Sequence, residues 1–238
     1  GWYEHLFTGI LKLLCKDYYG VSRASIQWLR HFHIQAKGAL YNAIDLDEIQ
    51  RRLAHPVRNF REEYGIPDQA DVITFTGRLL AEKGLLPLVQ AFKKVRSQYP
   101  DTYLCIAGDG DLEEELKKQS DSHILLLGRL DSGEIVDLLG NSDIFCLPSV
   151  SEGFSTSLLE AAACKNYIVV TDSACPRELL PDDRYARILP ELTEGSIQEG
   201  LLWALSHPRE RQEAAARAYE RLASHFTWKI VTDRIQKI

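Results

Sequence analysis

Glu152 and Glu160 frame the stretch in this chain best suited to chemistry, Ser151-Glu152-Gly153-Phe154-Ser155-Thr156-Ser157-Leu158-Leu159-Glu160. The apolar run Asp143-Ile144-Phe145-Cys146-Leu147-Pro148-Ser149 before it reads as a buried strand, and Leu158 to Cys164 reads as a helix start. A strand, a Gly-containing turn and a helix leave free N–H groups at the helix N-terminus, where phosphate is at home. Glu152 belongs on the turn and Glu160 about a turn and a half into the helix, so both can face one crevice. Carboxylates beside a phosphate do not bind it; they suit hydroxyl groups, those of a sugar or a ribose. The plainer alternative for Glu160 is a capping box, Ser157-Leu158-Leu159-Glu160, in which it only reaches back to a backbone N–H.

A second cluster lies upstream. Gly77-Arg78-Leu79-Leu80-Ala81-Glu82-Lys83-Gly84 puts two cations five positions apart between a strand end and a helix start. Arg78 can grip a diphosphate bidentately while Lys83 supplies a point charge. A solvated turn is the alternative. Two Asp-x-Asp triplets carry the spacing that holds a divalent metal in some transferases. Asp45-Leu46-Asp47 is explained more simply by a linker aspartate followed by an N-cap at Asp47. Asp109-Gly110-Asp111 is explained by a tight turn with Asp111 as N-cap of a helix Leu112–Lys118. No histidine pair has ligand spacing, and Ser22 and Ser155 lack a Gly-x-Ser-x-Gly frame.

The elements that must hold these residues alternate from Ala70 onward. Strands are expected at Ala70–Gly77, Tyr103–Gly108, Ile124–Leu127, Ile144–Leu147 and Tyr167–Thr171. Between them come helices carrying Leu85, Leu88, Val89, Phe92 and Val95, then Leu112–Lys118, Ser132–Leu139 and Thr156–Cys164. Uninterrupted apolar strands alternating with helices imply an α/β fold, a Rossmann-like parallel sheet with helices on both faces. Ligands of such folds bind outside the carboxyl ends of the strands. Thr76-Gly77-Arg78, Gly108-Asp109-Gly110, Gly128-Arg129 and Ser151-Glu152-Gly153 all sit at such ends.

Before Ala70 the alternation is thin: a strand at Tyr18–Ser22, a helix at Ala24–His33 and a strand at Gly38–Tyr41. Residues 1–57 are therefore expected to be the remnant of an N-terminal domain with its linker. Residues 58–225 would form the Rossmann-like domain. The end, Pro208 to Ile238, reads as two helices broken near Phe226-Thr227-Trp228, the last of them over 226–238. The apolar opening, Trp2 to Leu14, reads as a core helix, with an in-plane membrane helix as the alternative.

The 238 residues are 45% hydrophobic and 26% charged, as in an ordinary globular protein, and the net charge of −6 argues against a nucleic-acid partner. Five cysteines without a Cys-x-x-Cys pair suggest free thiols in a reducing cytoplasm. The chain has no methionine, even at position 1, which reads as a piece of a longer protein.

Taken in order, Gly77-Arg78…Glu82-Lys83-Gly84, Ala107-Gly108-Asp109-Gly110, Leu127-Gly128-Arg129, Leu147-Pro148-Ser149 and Ser151-Glu152-Gly153-Phe154…Leu159-Glu160-Ala161 resemble family 4 of the retaining glycosyltransferases. The resemblance runs from about Val21 to the end. It implies two Rossmann-like domains facing a cleft, the GT-B fold, with the C-terminal one binding a UDP- or GDP-sugar donor without a metal or other cofactor. By the same resemblance Arg78 and Lys83 hold the donor diphosphate, and Glu152 contacts the sugar. The Gly153-Phe154-Ser155 backbone approaches sugar and phosphate. Glu160 takes the ribose hydroxyls, and the backbone at Gly128 and Arg129 meets the base. Asn42-Ala43-Ile44-Asp45 resembles the family's Asn-Gly-Ile-Asp linker with Ala43 in place of glycine.

The chain departs from the family at Lys165-Asn166-Tyr167-Ile168 and at Ala174-Cys175, which puts the sugar-side loop geometry in question. The implied activity is sugar transfer to a glycan or lipid-linked acceptor in cell-surface polysaccharide or lipopolysaccharide synthesis. Its implied place is the cytoplasm, with peripheral association at the inner membrane face. A sugar-nucleotide epimerase and a non-catalytic nucleotide-sugar-binding subunit are the alternatives on the same fold.

Overall fold

A computed structural model of the chain describes residues 8, 9, 12, 14–174 and 177–236. Its first elements are β1 (Tyr19–Gly20), α1 (Arg23–His31), β2 (Gly38–Ala39), α2 (Leu46–Ala54) and α3 (Phe60–Tyr64). Then come β3 (Asp71–Thr76), α4 (Leu85–Arg96), β4 (Thr102–Ala107), α5 (Glu113–Lys117), β5 (Ile124–Gly128) and α6 (Ser132–Gly140). They are followed by β6 (Ile144–Leu147), α7 (Thr156–Ala163), β7 (Tyr167–Thr171), β8 (Arg187–Leu189), α8 (Glu194–Ser206), α9 (Pro208–His225) and α10 (Trp228–Ile235).

β3 to β8 form one sheet in the order β5-β4-β3-β6-β7-β8, every pair parallel. All residues of β6 and β7 are buried, because helices cover both faces of a parallel sheet. From β3 the chain builds outward through β4 and β5, then returns to lay β6 on the other side of β3. The β3–β6 boundary is therefore a topological switch point, where the loops diverge and leave a crevice at the carboxyl ends. Gly77–Leu80 and Pro148–Ser155 are the two loops that open it.

The five expected strands are present with ends shifted by a residue at most. The helix carrying Leu85, Leu88, Val89, Phe92 and Val95 is α4, and all five are fully buried. Each such side chain contributes roughly 1.5–3 kcal/mol by leaving water. Three elements were not expected: the five-residue helix α3, the three-residue strand β8, and α8, which presents Ile197, Leu201 and Ala204 to the core. Most of the Trp2–Leu14 segment lies outside the described residues. No helix among the described residues is long and apolar enough to cross a membrane.

At three helix starts the capping differs from the sequence reading. Asp45, and not Asp47, caps α2, accepting the Glu48 amide at 2.9 Å. Asp111 caps nothing: the Leu112 amide is drawn to the Leu79 carbonyl at 2.9 Å, so α5 begins at Glu113 with no side-chain cap. Ser155 occupies the N-cap of α7, which puts Ser157 inside the first turn and removes the Ser157–Glu160 capping box.

The segment before β3 grips the domain in two places. Ile44 and Thr227 form a parallel bridge, with the Ile44 amide donating to Phe226 (3.1 Å) and the Trp228 amide donating to Ile44 (3.1 Å). The linker thus runs beside the expected break, where α9 gives way to α10. Farther on, the buried Asp137 of α6 accepts from Arg52 Nε of α2 at 2.7 Å and from the Arg58 amide at 3.0 Å.

Candidate active site

Backbone hydrogen bonds stitch the loops at the carboxyl ends into one surface. The Gly77 amide donates to Ala107, Leu79 to Asp109 and Gly108 to Gly128, at 2.7–3.0 Å. Gly108 has φ +148°, and a Cβ on it would overlap the Gly77 carbonyl oxygen, so only glycine lets these loops meet. Across the switch point, Gly84 (φ +68°) lies so close that a Cβ would overlap the Pro148 carbonyl. The Val150 amide adds a 2.8 Å bond to Glu82. The turn carrying Lys83 is in this way fixed against the turn carrying Glu152.

Between these loops lies a cavity of about 420 Å³, within the range of small-molecule sites, lined by Arg78, Asp109, Arg129, Thr156, Ser157 and Glu160, with Leu130 and Ile135 as apolar wall. Three of the residues singled out by sequence, Arg78, Arg129 and Glu160, therefore share one crevice, and Gly128 adjoins it. Arg78 is exposed. The Arg129 side chain is 82% exposed, and its one ion pair among the described residues is a loose 3.7 Å approach to Asp109. The floor is the start of α7. Ser155 is extended there and makes no side-chain cap; its hydroxyl bonds the Ser157 hydroxyl at 2.7 Å. First-turn amides of an uncapped helix beside an arginine can bind an anion.

Glu160 sits on the helix side of the same cavity, mostly buried and without a cation beside it. Desolvation pushes its carboxyl from 4.5 up to about 7. Such a group takes up hydroxyl partners readily, because hydrogen bonds to its charged form repay that desolvation.

Lys83 and Glu152 stand apart from this cavity's lining and are paired with each other. Lys83 Nζ donates to Glu152 Oε1 at 2.6 Å, each side chain only 15% exposed. The expectation of separate tasks thus becomes a single ion pair at the mouth of the Ser151–Phe154 loop. Phe154 points inward, 4% exposed, against Tyr41 and Phe226. Gly153 is exposed.

Thr156 and Ser157 were not singled out by sequence; their placement in the first turn of a helix after a Gly-bearing loop was the available signal. A second cavity of about 520 Å³, lined by Glu48, Arg51, His55, Ser132 and Trp228, meets the first at Thr156 and Glu160. Among the described residues no group of three or more His, Cys, Asp or Glu side chains could hold a metal ion. The described cysteines, Cys15, Cys105, Cys146 and Cys164, are free thiols, with Cys15 exposed and Cys175 outside the described residues.

With this geometry established, comparison with known proteins identifies the family. The model for glycosyl transferases group 1 matches residues 56–221, the whole sheet and its loops. The chain belongs to that family. It is 27% identical over 249 aligned positions to a phosphatidyl-myo-inositol mannosyltransferase of Mycobacterium tuberculosis, covering 98% of this chain and 62% of that relative. The chain thus spans less than two thirds of that relative's length.

The group 1 fold is equally plain in solved structures. The Anabaena protein HepE, solved in complex with UDP and glucose, superposes with a TM-score of 0.79 at 16% identity, over 93% of this chain and 62% of HepE. The C-terminal domain of the group 1 protein LpcC from Francisella tularensis gives 0.64 at 23% identity, over 78% of this chain and 99% of that domain.

Proposed function

We propose that this chain is the donor-binding part of a retaining glycosyltransferase that takes a sugar from a nucleoside-diphosphate-sugar and gives it to a glycan or lipid-linked acceptor. The observation that carries this reading is the cavity at the β3–β6 switch point, where Arg78, the uncapped start of α7 and Glu160 meet. A diphosphate would lie against Arg78 and the α7 amides, ribose hydroxyls would reach Glu160, and the base would rest near Gly128, Arg129 and Leu130. The Lys83–Glu152 pair stands at the sugar end, with Lys83 able to turn toward the phosphate and Glu152 toward the sugar.

Cleavage at the anomeric carbon builds negative charge on the leaving phosphate. Fixed cations and helix amides stabilise that charge without reorganising. No metal is needed for this, since the cations do that work. Residues 1–57 supply the linker and the remnant of an acceptor-side domain, 58–225 the donor domain, and 226–238 the helix that crosses back toward the partner domain. The name of the mycobacterial relative, a phosphatidyl-myo-inositol mannosyltransferase, supports a lipid-linked acceptor, and an acceptor of that kind is what would bring the protein to a membrane surface. The name of HepE's complex supports a nucleotide donor.

Arg78→Ala tests the diphosphate assignment. Calorimetric titration should show UDP or GDP affinity falling by roughly 1.5–3 kcal/mol, the worth of a charge-assisted hydrogen bond. Affinity for the bare nucleoside should stay the same. Equal losses for nucleoside and diphosphate would remove Arg78 from the phosphate site.

A further inference from the structure

The Ser151–Phe154 loop is held from two directions. One end is fastened within the domain, by Lys83–Glu152 at 2.6 Å and by the Val150 amide on Glu82 at 2.8 Å. The other end is fastened to the linker. Asn42 Nδ2 donates to the Phe154 carbonyl at 2.7 Å, across 112 residues of sequence. The acceptor is a carbonyl oxygen, so the amide nitrogen must be the group that faces it.

The Phe154 ring packs in a three-ring cluster with Tyr41 and Phe226, centroids 5.2–5.4 Å apart. The same linker is then pinned to the α9–α10 crossing by the Ile44–Thr227 bridge.

Phe154 immediately precedes Ser155, the N-cap of α7. Its carbonyl therefore fixes the last peptide of the sugar-side loop, while the Thr156 and Ser157 amides beyond it are held by α7 itself. A linker displacement cannot leave this peptide where it is, because bond and ring cluster move together. We infer that Asn42 is a positioning residue for the donor sugar: through the Phe154 carbonyl it sets the Gly153-Phe154-Ser155 backbone against the start of α7, so that the linker and the sugar-side loop move as one unit. This rests on the donor-site reading above. It assigns the linker a part in recognising the sugar, where a passive hinge would only join two domains.

Asn42→Asp is the direct test, since it keeps the shape and removes the donor, setting a carboxylate against a carbonyl. Asn42→Ala serves as the second variant, and Tyr41→Phe as a control that keeps the ring. The 238-residue chain is titrated with UDP and UDP-glucose, and with GDP and GDP-mannose, and amide hydrogen exchange is followed over residues 150–157. Both Asn42 variants should bind the sugar nucleotide about five- to twentyfold more weakly, while the matching diphosphate changes less than about twofold. Exchange over 150–157 should quicken, and Tyr41→Phe should match the parent.

Sugar nucleotide and diphosphate weakening together would make Asn42 a general stabiliser and overturn the inference. So would unchanged ratios with unchanged exchange. If the parent chain binds no diphosphate at all, the donor-site reading fails. The exchange measurement then decides the Asn42–Phe154 tie by itself: unchanged rates in the variants overturn it.

Discussion

Glu160→Gln should stabilise the ligand-free protein above pH 7 and at the same time weaken its hold on ribonucleotides. The stability half follows from proton linkage. Burial raises the Glu160 carboxyl from 4.5 to about 7, so the folded chain holds its proton more tightly than the unfolded chain. Between those two values the folded state binds more protons, and stability therefore falls as pH rises through that window. Below about pH 4.5 the group costs nothing; above about pH 7 the whole penalty applies, roughly 3 kcal/mol as an upper figure.

Glutamine carries no charge to desolvate. At pH 8 the variant should gain about 1–3 kcal/mol, or several degrees in Tm for a chain of this size. At pH 4.5 the two proteins should unfold together. The binding half has the opposite sign. A carboxylate accepting ribose hydroxyls loses roughly 1.5–3 kcal/mol when its charge is removed. Parent affinity should climb as pH rises through 7, and the variant's should stay flat. A loss of stability at pH 8 would restore a structural role for Glu160.

Asp137→Ala should be the most damaging single change outside the cavity. The Asp137 side chain is fully buried, and its two oxygens hold Arg52 through Nε and Nη2 as well as the amides of Val57 and Arg58. Truncation strips the Arg52 guanidinium of its carboxylate partner and leaves two amides without their acceptor. Breaking such a pair from one side costs about 3–5 kcal/mol, far more than a surface bridge. Urea unfolding should show that loss, and α2 should exchange its amides faster. Arg52→Ala in the same background should add little, since the pair acts as a unit. Diphosphate affinity should barely move, because Asp137 is not among the residues lining the donor cavity. A loss below about 1 kcal/mol would mean that α2 is held by apolar packing alone.

The sheet was legible because its strands are continuous apolar runs punctuated by glycine, and Ile144–Leu147 and Tyr167–Thr171 were located to the residue. β8 was not, since Arg187-Ile188-Leu189 is three residues long and has no period to read. Helix starts were misplaced where a tertiary bond decided them, as when the Leu79 carbonyl takes the Leu112 amide.

At the site, Arg78, Arg129 and Glu160 could be foreseen as neighbours because their loops share one edge of the sheet. The Lys83–Glu152 pairing could not, since nothing in two separate turns states the distance between them. Asn42 was visible as part of a linker motif. Its grip on Phe154 depends on how that linker passes over the domain, and local sequence does not encode that path.

The proposed donor site is built from the loops at the β3–β6 switch point. Amide chemical-shift mapping of the isotopically labelled chain tests it most directly, with UDP- and GDP-sugars titrated in the presence of EDTA. The largest shifts should cluster at Gly77-Arg78, at Gly128-Arg129-Leu130 and at Thr156-Ser157-Leu158, and they should persist without divalent metal. Shifts confined to the second cavity, around Glu48, His55 and Trp228, would contradict the claim, as would binding that appears only when metal is restored.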